Sequence, residues 1–502
     1  METVAGIDLG TQSIKVVLYD FNNKIIIANE SCSLSIIAEN DGTREQKTEW
    51  YKEALKTCFS AFKSSDLQTI KAIGVSGQQH GFVPLDKEGN ALYNIKLWND
   101  TSTAAQCSKI TTILGGEQEV IKELGNLMLP GFTAPKILWL KENHPEAFAK
   151  LHYILLPHDY INFLLTNQYV MEAGDASGTA LFDSKTKQWS KSTCDAIDET
   201  LYSMLPPIIE SHTECGTVQK SAAEEYGIPE GIPVSSGGGD NMMGAIGTGS
   251  VADGFLTMSL GTSGTLYGYS DTPISDPQEG LSGFCSSTGG WLPLLCTMNC
   301  TVATEQIRTL FELGVKEFDA LAEQSVPGAN GVTVLPYFNG ERSPNLPNGR
   351  ASITGLTTAN SSRNNICRAA MESAIYAMRG GLDSFRKLGF QPKEIRLIGG
   401  GAKSPLWRQI AADVLNLPIR IPQKAEAAAL GAAVQALWCL NCKENPTITT
   451  KEASESIQTL CKTHISLDET KNTDPVLQNV KKYNEAYTQY NNLVQQLTPL
   501  YK

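Results

Sequence analysis

The stretch Ala5–Asp20, "AGIDLGTQSIKVVLYD", is an apolar run, a small-residue turn and a second β-rich run. That order predicts a β-hairpin turning at Gly10-Thr11-Gln12-Ser13. Half a chain later, residues 256–271 read "LTMSLGTSGTLYGYSD". At an offset of 251, Leu9-Gly10-Thr11 falls on Leu260-Gly261-Thr262, and Asp20 falls on Asp271. A single hairpin of this kind is only a tight turn. Two at mirrored positions predict two copies of one fold.

The flanks extend the repeat. The first half predicts a helix over 48–62 and a strand over 70–76 that ends at Gly77. The second half predicts a helix over 363–388 and a strand over 395–398 that ends at Gly399-Gly400-Gly401. Each half then reaches a short strand, 233–236 and 418–421, and an alanine- and glycine-rich helix. There "DNMMGAIG" (240–247) aligns with "AAALGAAV" (427–434), placing Gly244-Ala245 on Gly431-Ala432. The order predicts an α/β protein of two actin-like ATPase (ribonuclease H-like) domains with the catalytic cleft between them. In such a cleft the hairpin turns hold phosphates through backbone N–H groups and hydroxyls, with no Walker lysine.

The expected boundaries are 1–247 for an N-terminal domain carrying an insertion over 87–230, where a substrate-specific region would lie, and 248–442 for a C-terminal domain. Residues 443–502 form an extension with an amphipathic helix over 474–497. Gly247-Thr248-Gly249-Ser250-Val251-Ala252 matches a short dinucleotide fingerprint by letters. It falls at the end of a predicted helix, so a dehydrogenase reading is discarded.

Composition narrows the partners. The chain has 502 residues with a net charge of −12, and its pI is about 5.2. This balance argues against nucleic acid or an anionic membrane as the main partner. The N-terminus meets Asp8 early and lacks a basic region, so it is not read as a signal peptide. The apolar stretch 427–440 is too short to span a bilayer. Twelve scattered cysteines fit free thiols in a reducing cytoplasm, and the single C-x-x-C, Cys439-Leu440-Asn441-Cys442, lacks a second ligand pair for zinc.

Asp240 is the main acidic candidate. It follows a buried-looking strand and opens a helix, a place where the helix N-terminus is expected to keep a carboxylate ionised. Its counterpart in the aligned second half, Ala427, has no acid, so the fold itself does not call for one.

Six blocks carry a family resemblance, in order: "GIDLGTQSIK", "GVSGQQHGFVPLD", "GFTAPKILWLKEN" (131–143), "PYFNGERSP", "ASITGLTTANSSRNNICRAAMES" (351–373) and "IGGGAKSPLWRQIAADV". They resemble the FGGY carbohydrate kinases over nearly all of residues 4–440. The resemblance implies transfer of the ATP γ-phosphate to a terminal hydroxyl of an open-chain sugar, D-xylulose giving D-xylulose 5-phosphate. Ribulose, gluconate, glycerol or another polyol stand as alternative acceptors, and a non-metabolic actin-like ATPase stands further off. It implies Asp240 as catalytic base, and Asp8 with Asp240 facing Mg²⁺. It places Thr11, Gln12, Ser13 and Lys15 on one side of the ATP phosphates and Gly261, Thr262 and Ser263 on the other. Gly400, Gly401, Ala402 and Ser404 would meet the adenosine. Gln79, His80, Trp98, Asp100 and Asn241 join Asp240 as sugar-pocket candidates, and Glu341-Arg342 is expected to be a buried ion pair bracing the cleft. Closure of the two halves over the substrates is expected, and the partners are a small sugar and, in the same reading, a second copy in a homodimer.

Overall fold

The computed structural model describes residues 1–445 and 447–501. The first half contains β1 (Thr3–Leu9), β2 (Ser13–Asp20), β3 (Ile25–Ser33), α1 (Thr48–Ala61), β4 (Ile70–Gly77), α2 (Pro157–Thr166), β5 (Pro233–Ser235) and α3 (Asp240–Thr248). The second contains β6 (Phe255–Leu260), β7 (Gly264–Gly268), β8 (Leu281–Cys285), β9 (Trp291–Thr297), α4 (Arg363–Lys387), β10 (Glu394–Ile398), α5 (Pro405–Leu415), β11 (Ile419–Arg420) and α6 (Ala427–Lys443). The chain ends with α7 (Thr450–His464) and α8 (Leu477–Leu497).

Each half is built on one mixed sheet. The first runs Glu214–Thr217, β5, β4, β1, β2, β3, and the second runs β8, β9, β7, β6, β10, β11. β1 pairs antiparallel with β2 and parallel with β4, and β6 does the same with β7 and β10. The central strands are buried on both faces, which is why β1 reads as a nearly continuous apolar run. α1 covers the first sheet with Tyr51, Leu55 and Phe59, whose spacing is helical. α5 starts at Pro405 because Ser404 Oγ accepts from Trp407 N–H at 3.3 Å and the proline suits the first turn.

Two alignments change. Leu9 pairs with Ile14, but Leu260 pairs with Gly264, so the second turn is one residue shorter. Beyond the turns the equivalence therefore slips by one. Lys15 matches Thr265, and Asp20 matches Ser270 rather than Asp271.

The second change lies where α3 and α6 cross. A Cβ on Gly247 would sit 1.8 Å from the Ala427 carbonyl oxygen, and one on Gly431 would sit 1.8 Å from that of Met243. The contact is reciprocal, and 431 − 247 and 427 − 243 both equal 184. The packing thus equates Gly247 with Gly431, not Gly244. The residue equivalent to Asp240 becomes Lys424, just ahead of α6, in place of Ala427.

α6 also lies on the first sheet. Cβ atoms at Gly6 and Gly74 would meet the Ala429 and Ala432 carbonyl oxygens at 1.9 and 2.0 Å. Gln435 on α6 accepts from Ser235 Oγ at 2.8 Å and donates to the Gly237 carbonyl at 2.9 Å. The last helix of the second half therefore roofs the sheet of the first. Small residues were legible along this helix, but which sheet it covers depends on contacts some 400 residues apart.

Candidate active site

Between the sheets lies a cavity of about 480 Å³. Its first wall carries Asp8, Gly10, Gln79, His80, Asp240 and Asn241, and its second carries Gly261, Thr262, Ser263, Tyr267, Phe284 and Arg342. The predicted insertion adds Trp98, Leu129, Gly131 and Phe132.

Asp240 is the first residue of α3, as its place after a short strand predicts. The expectation that the helix N-terminus keeps it ionised is corrected. Burial, then the charges of Asp8 and Asp175, push its pKa up to about 7, against a smaller lowering by Asn241. Asp8 is likewise pushed up to about 6 by burial, partly offset by the Ser76 hydroxyl, which donates to Oδ1 at 2.9 Å. Asp175 is completely buried behind the cleft and is bonded to His158 Nδ1 at 2.7 Å. The sequence offered no sign that it would act on Asp240.

Gln79, Asn241 and Asp240 form a chain. Asn241 Nδ2 donates to Gln79 Oε1 and to Asp240 Oδ1, each at 2.9 Å. Gln79 is 5% exposed, and its Nε2 has no protein partner among the described residues. Gly239 allows this arrangement, since a Cβ there would lie 2.6 Å from Gln79 Cγ.

His80 sits at φ +64°, a left-handed conformation uncommon for a residue with a side chain and costly to hold. Its Nδ1–H donates to the Gly178 carbonyl at 2.7 Å, and Gly178 has no room for a Cβ beside the ring. Burial, then Lys136, lowers its pKa to about 3, so the ring is neutral and Nε2 is an acceptor. Lys136 belongs to the 131–143 block and is itself fully buried. Its Nζ donates to the carbonyls of His80 and Gly131 at 2.6 and 2.7 Å, and the Phe132 ring packs against His80, tilted by 43° with centroids 4.5 Å apart. That block thus fixes the posture of His80, a role its letters alone did not reveal.

Trp98 lines the cleft and donates Nε1–H to Thr11 Oγ1 at 2.9 Å. Thr11 Oγ1 in turn donates to Gln78 at 3.1 Å, so its hydroxyl is already engaged. Gln12 at the tip is exposed and Ser13 is half-buried. Asp100 is a correction. It is fully buried away from the cavity, where it accepts from Lys96 Nζ at 3.1 Å, the Arg44 amide at 2.8 Å and Ser102 Oγ at 2.6 Å. Its acid completes a buried ion pair, since a carboxylate buried so deeply needs such partners. Lys15 lies opposite Asp8 in the hairpin but is bonded to Glu426, the residue before α6.

On the second wall, Thr262 is exposed and Ser263 half-buried. Of the third element, Gly400 has open space beside it, while Gly401 packs on Leu260 and Trp407 and Ala402 is buried. Ser404 Oγ is occupied as the cap of α5. The expected Glu341–Arg342 pair is absent among the described residues. Glu341 is buried and accepts from the amides of Met298 and Arg342, each at 2.7 Å, and from Asn299 Nδ2 at 3.1 Å. It braces its own loop and leaves the arginine to the cavity. The letters Gly247–Ala252 form the last turn of α3 and its exit, with Gly249 at φ +78° as a left-handed cap.

Two ribonuclease H-like halves whose hairpin turns face each other across a cleft, with a carboxylate opening the helix between them, define a two-lobed phosphotransferase. Models of the FGGY family of carbohydrate kinases match the chain with their N-terminal domain over residues 3–247 and their C-terminal domain over residues 256–440. The chain belongs to that family, and so is an ATP-dependent kinase with an alcohol acceptor. A xylulose kinase of Haemophilus influenzae is 43% identical over 494 residues, covering 97% of this chain and 98% of the relative. A crystal structure of xylulose kinase from Bifidobacterium adolescentis superposes with a TM-score of 0.80 at 29% identity, covering 97% of this chain and 99% of that one. A gluconate kinase from Lactobacillus acidophilus reaches a TM-score of 0.89 at 23% identity, covering 100% of this chain and 99% of that one, which shows the shared fold alone.

Proposed function

We propose that the chain phosphorylates D-xylulose at its terminal hydroxyl, giving D-xylulose 5-phosphate and ADP. The observation that carries this reading is the position of Asp240, bonded through Asn241 to Gln79 on the acceptor side and facing the hairpin turns on the other. The named relative at 43% identity supports the choice of sugar.

Asp240 accepts the proton of the acceptor hydroxyl as its oxygen attacks the γ-phosphorus. A loose transition state asks for orientation more than for strong proton abstraction. His80 Nε2 accepts from one sugar hydroxyl and Gln79 acts through Asn241, while Trp98, Phe132 and Phe284 exclude water. The turns at Gly10–Ser13 and Gly261–Ser263 offer N–H groups and the hydroxyls of Thr262 and Ser263 to the phosphates. Lys15 joins them only if it leaves Glu426. Gly400 lets the adenosine approach the backbone, with Gly401 and Ala402 as its floor.

The residues fit Mg²⁺. Two carboxylates in one small cavity, each held above its ordinary pKa chiefly by burial, suit an ion that borrows one or two carboxylates and keeps its waters. When bound, it supplies positive charge to the β- and γ-phosphate oxygens. The reading carries a cytoplasmic location, where ATP is at hand, and a homodimer as its assembly.

Incubation with ATP, Mg²⁺ and D-xylulose, followed by phosphorus NMR of the product, tests the reading. A phosphomonoester coupled to the two C5 protons is expected. A phosphate at another carbon, or release of free phosphate alone, would contradict it.

A further inference from the structure

The cavity holds a positive charge that the acceptor sugar does not need. Arg342 lines it from the second half, half-buried beside Cys296 and Phe284. The neighbouring acid, Glu341, is spent on backbone amides and Asn299, and Arg342 has no ion pair among the described residues. The other cations around the cavity are all committed. Lys15 pairs with Glu426, Lys96 with Glu45 at 3.0 Å and Asp100 at 3.1 Å, and Lys136 with two carbonyls. Arg342 lines the same cavity as His80, Cys296 and Asp240, so its charge faces the space that the acceptor and the base share.

A neutral sugar is already matched by neutral groups at Gln79, His80 and Asn241. A half-buried guanidinium with no carboxylate partner among the described residues keeps its charge for the cavity, and its fork-shaped donors suit an anion with several oxygens. One such anion forms at this place during the reaction. The bond from the γ-phosphorus to the β,γ-bridging oxygen breaks, and its electron pair leaves on ADP. A new bond joins phosphorus to the acceptor oxygen, whose proton passes to Asp240. The phosphoryl group thus arrives beside one carboxylate with its own negative charge.

We infer that Arg342 binds the phosphoryl group as it crosses to the acceptor and stays bonded to the phosphate of the product. This rests on the kinase reading of the cleft. It makes Arg342 a catalytic residue contributed by the half opposite to Asp240, so that closure completes the site.

Arg342→Met and Arg342→Lys test this. Steady-state kinetics use whichever ketose or polyol the unaltered enzyme phosphorylates fastest, so a wrong choice of sugar is exposed separately. For Arg342→Met, kcat should fall about 10²- to 10³-fold with the acceptor KM within about threefold, and Arg342→Lys should recover at least about tenfold. Thermal-shift titration with D-xylulose 5-phosphate and with inorganic phosphate needs no turnover and still reports on a variant that melts early. Affinity for the sugar phosphate should weaken about tenfold or more in Arg342→Met, while an ATP analogue binds as before. Weakened inorganic phosphate binding supports the same contact. A raised acceptor KM with kcat retained would make Arg342 a sugar ligand and overturn the inference. Unchanged affinity for the sugar phosphate would overturn it as well.

Discussion

Asn241 Nδ2 bridges Asp240 and Gln79, donating one hydrogen to each at 2.9 Å. The base is therefore oriented by a residue on the acceptor side of the cleft. Gln79→Met keeps the length but removes the acceptor that holds Asn241. A lost hydrogen bond is worth about 1 kcal/mol, so loosening Asn241 predicts a rise in acceptor KM of about fivefold. A fall of kcat of a few-fold should accompany it. Initial-rate kinetics against acceptor concentration check both.

Asp240→Asn is expected to lower kcat by about 10³-fold while ATP binding persists, because the amide cannot take the proton. The substitution also predicts a pH-dependent gain in stability without nucleotide or metal. The pKa of Asp240 in the fold, about 7, lies above its ordinary value, so ionisation penalises the fold. The penalty sets in as the pH passes the ordinary carboxylate range, grows up to about 7 and levels off above it. Discounted for water in the cleft, the gain of Asp240→Asn at pH 8 is about 1–2 kcal/mol. Melting curves of both proteins at pH 4.5 and pH 8 should show a difference several-fold larger at the higher pH.

Gly431→Ala places a methyl group where the Met243 carbonyl oxygen already stands. The helices α3 and α6 must separate, at a cost of about 3 kcal/mol or more. Because α3 begins with Asp240, activity should fall as well. Chemical denaturation and kcat of the same preparation test the pair of effects. An unchanged midpoint would contradict the crossing geometry.

Tyr483 on α8 donates to Glu372 Oε1 at 2.9 Å and accepts from Arg368 Nη2 at 2.6 Å, so the C-terminal helix completes a buried ion pair inside the 351–373 block. Tyr483→Phe leaves that pair under-bonded and should cost about 1–3 kcal/mol, with kcat nearly unchanged. Denaturant unfolding measures it.

The fold was legible where short-range patterns repeat. The two hairpins, α1, β4, α4 and β10 all fall within a few residues of their predicted bounds. Asp240 was legible as a helix-opening acid. Its raised pKa was not, because that depends on burial and then on Asp8 and Asp175, which only the tertiary fold brings about. Asp100 looked like a pocket acid because it follows Trp98, but in the fold it turns inward to Lys96. Arg342 was assigned to Glu341 by adjacency in sequence, whereas Glu341 bonds to the backbone of its own loop. The roof formed by α6 and the exchange of equivalence from Gly244 to Gly247 needed the packing itself.

The most direct measurement is acceptor-dependent ADP release by the purified chain with Mg²⁺-ATP over a panel of D-xylulose, ribulose, gluconate and glycerol. D-xylulose is expected to give the highest kcat/KM, with Asp240→Asn abolishing the stimulation. A higher kcat/KM for another acceptor, or no stimulation by any of them, would contradict the account.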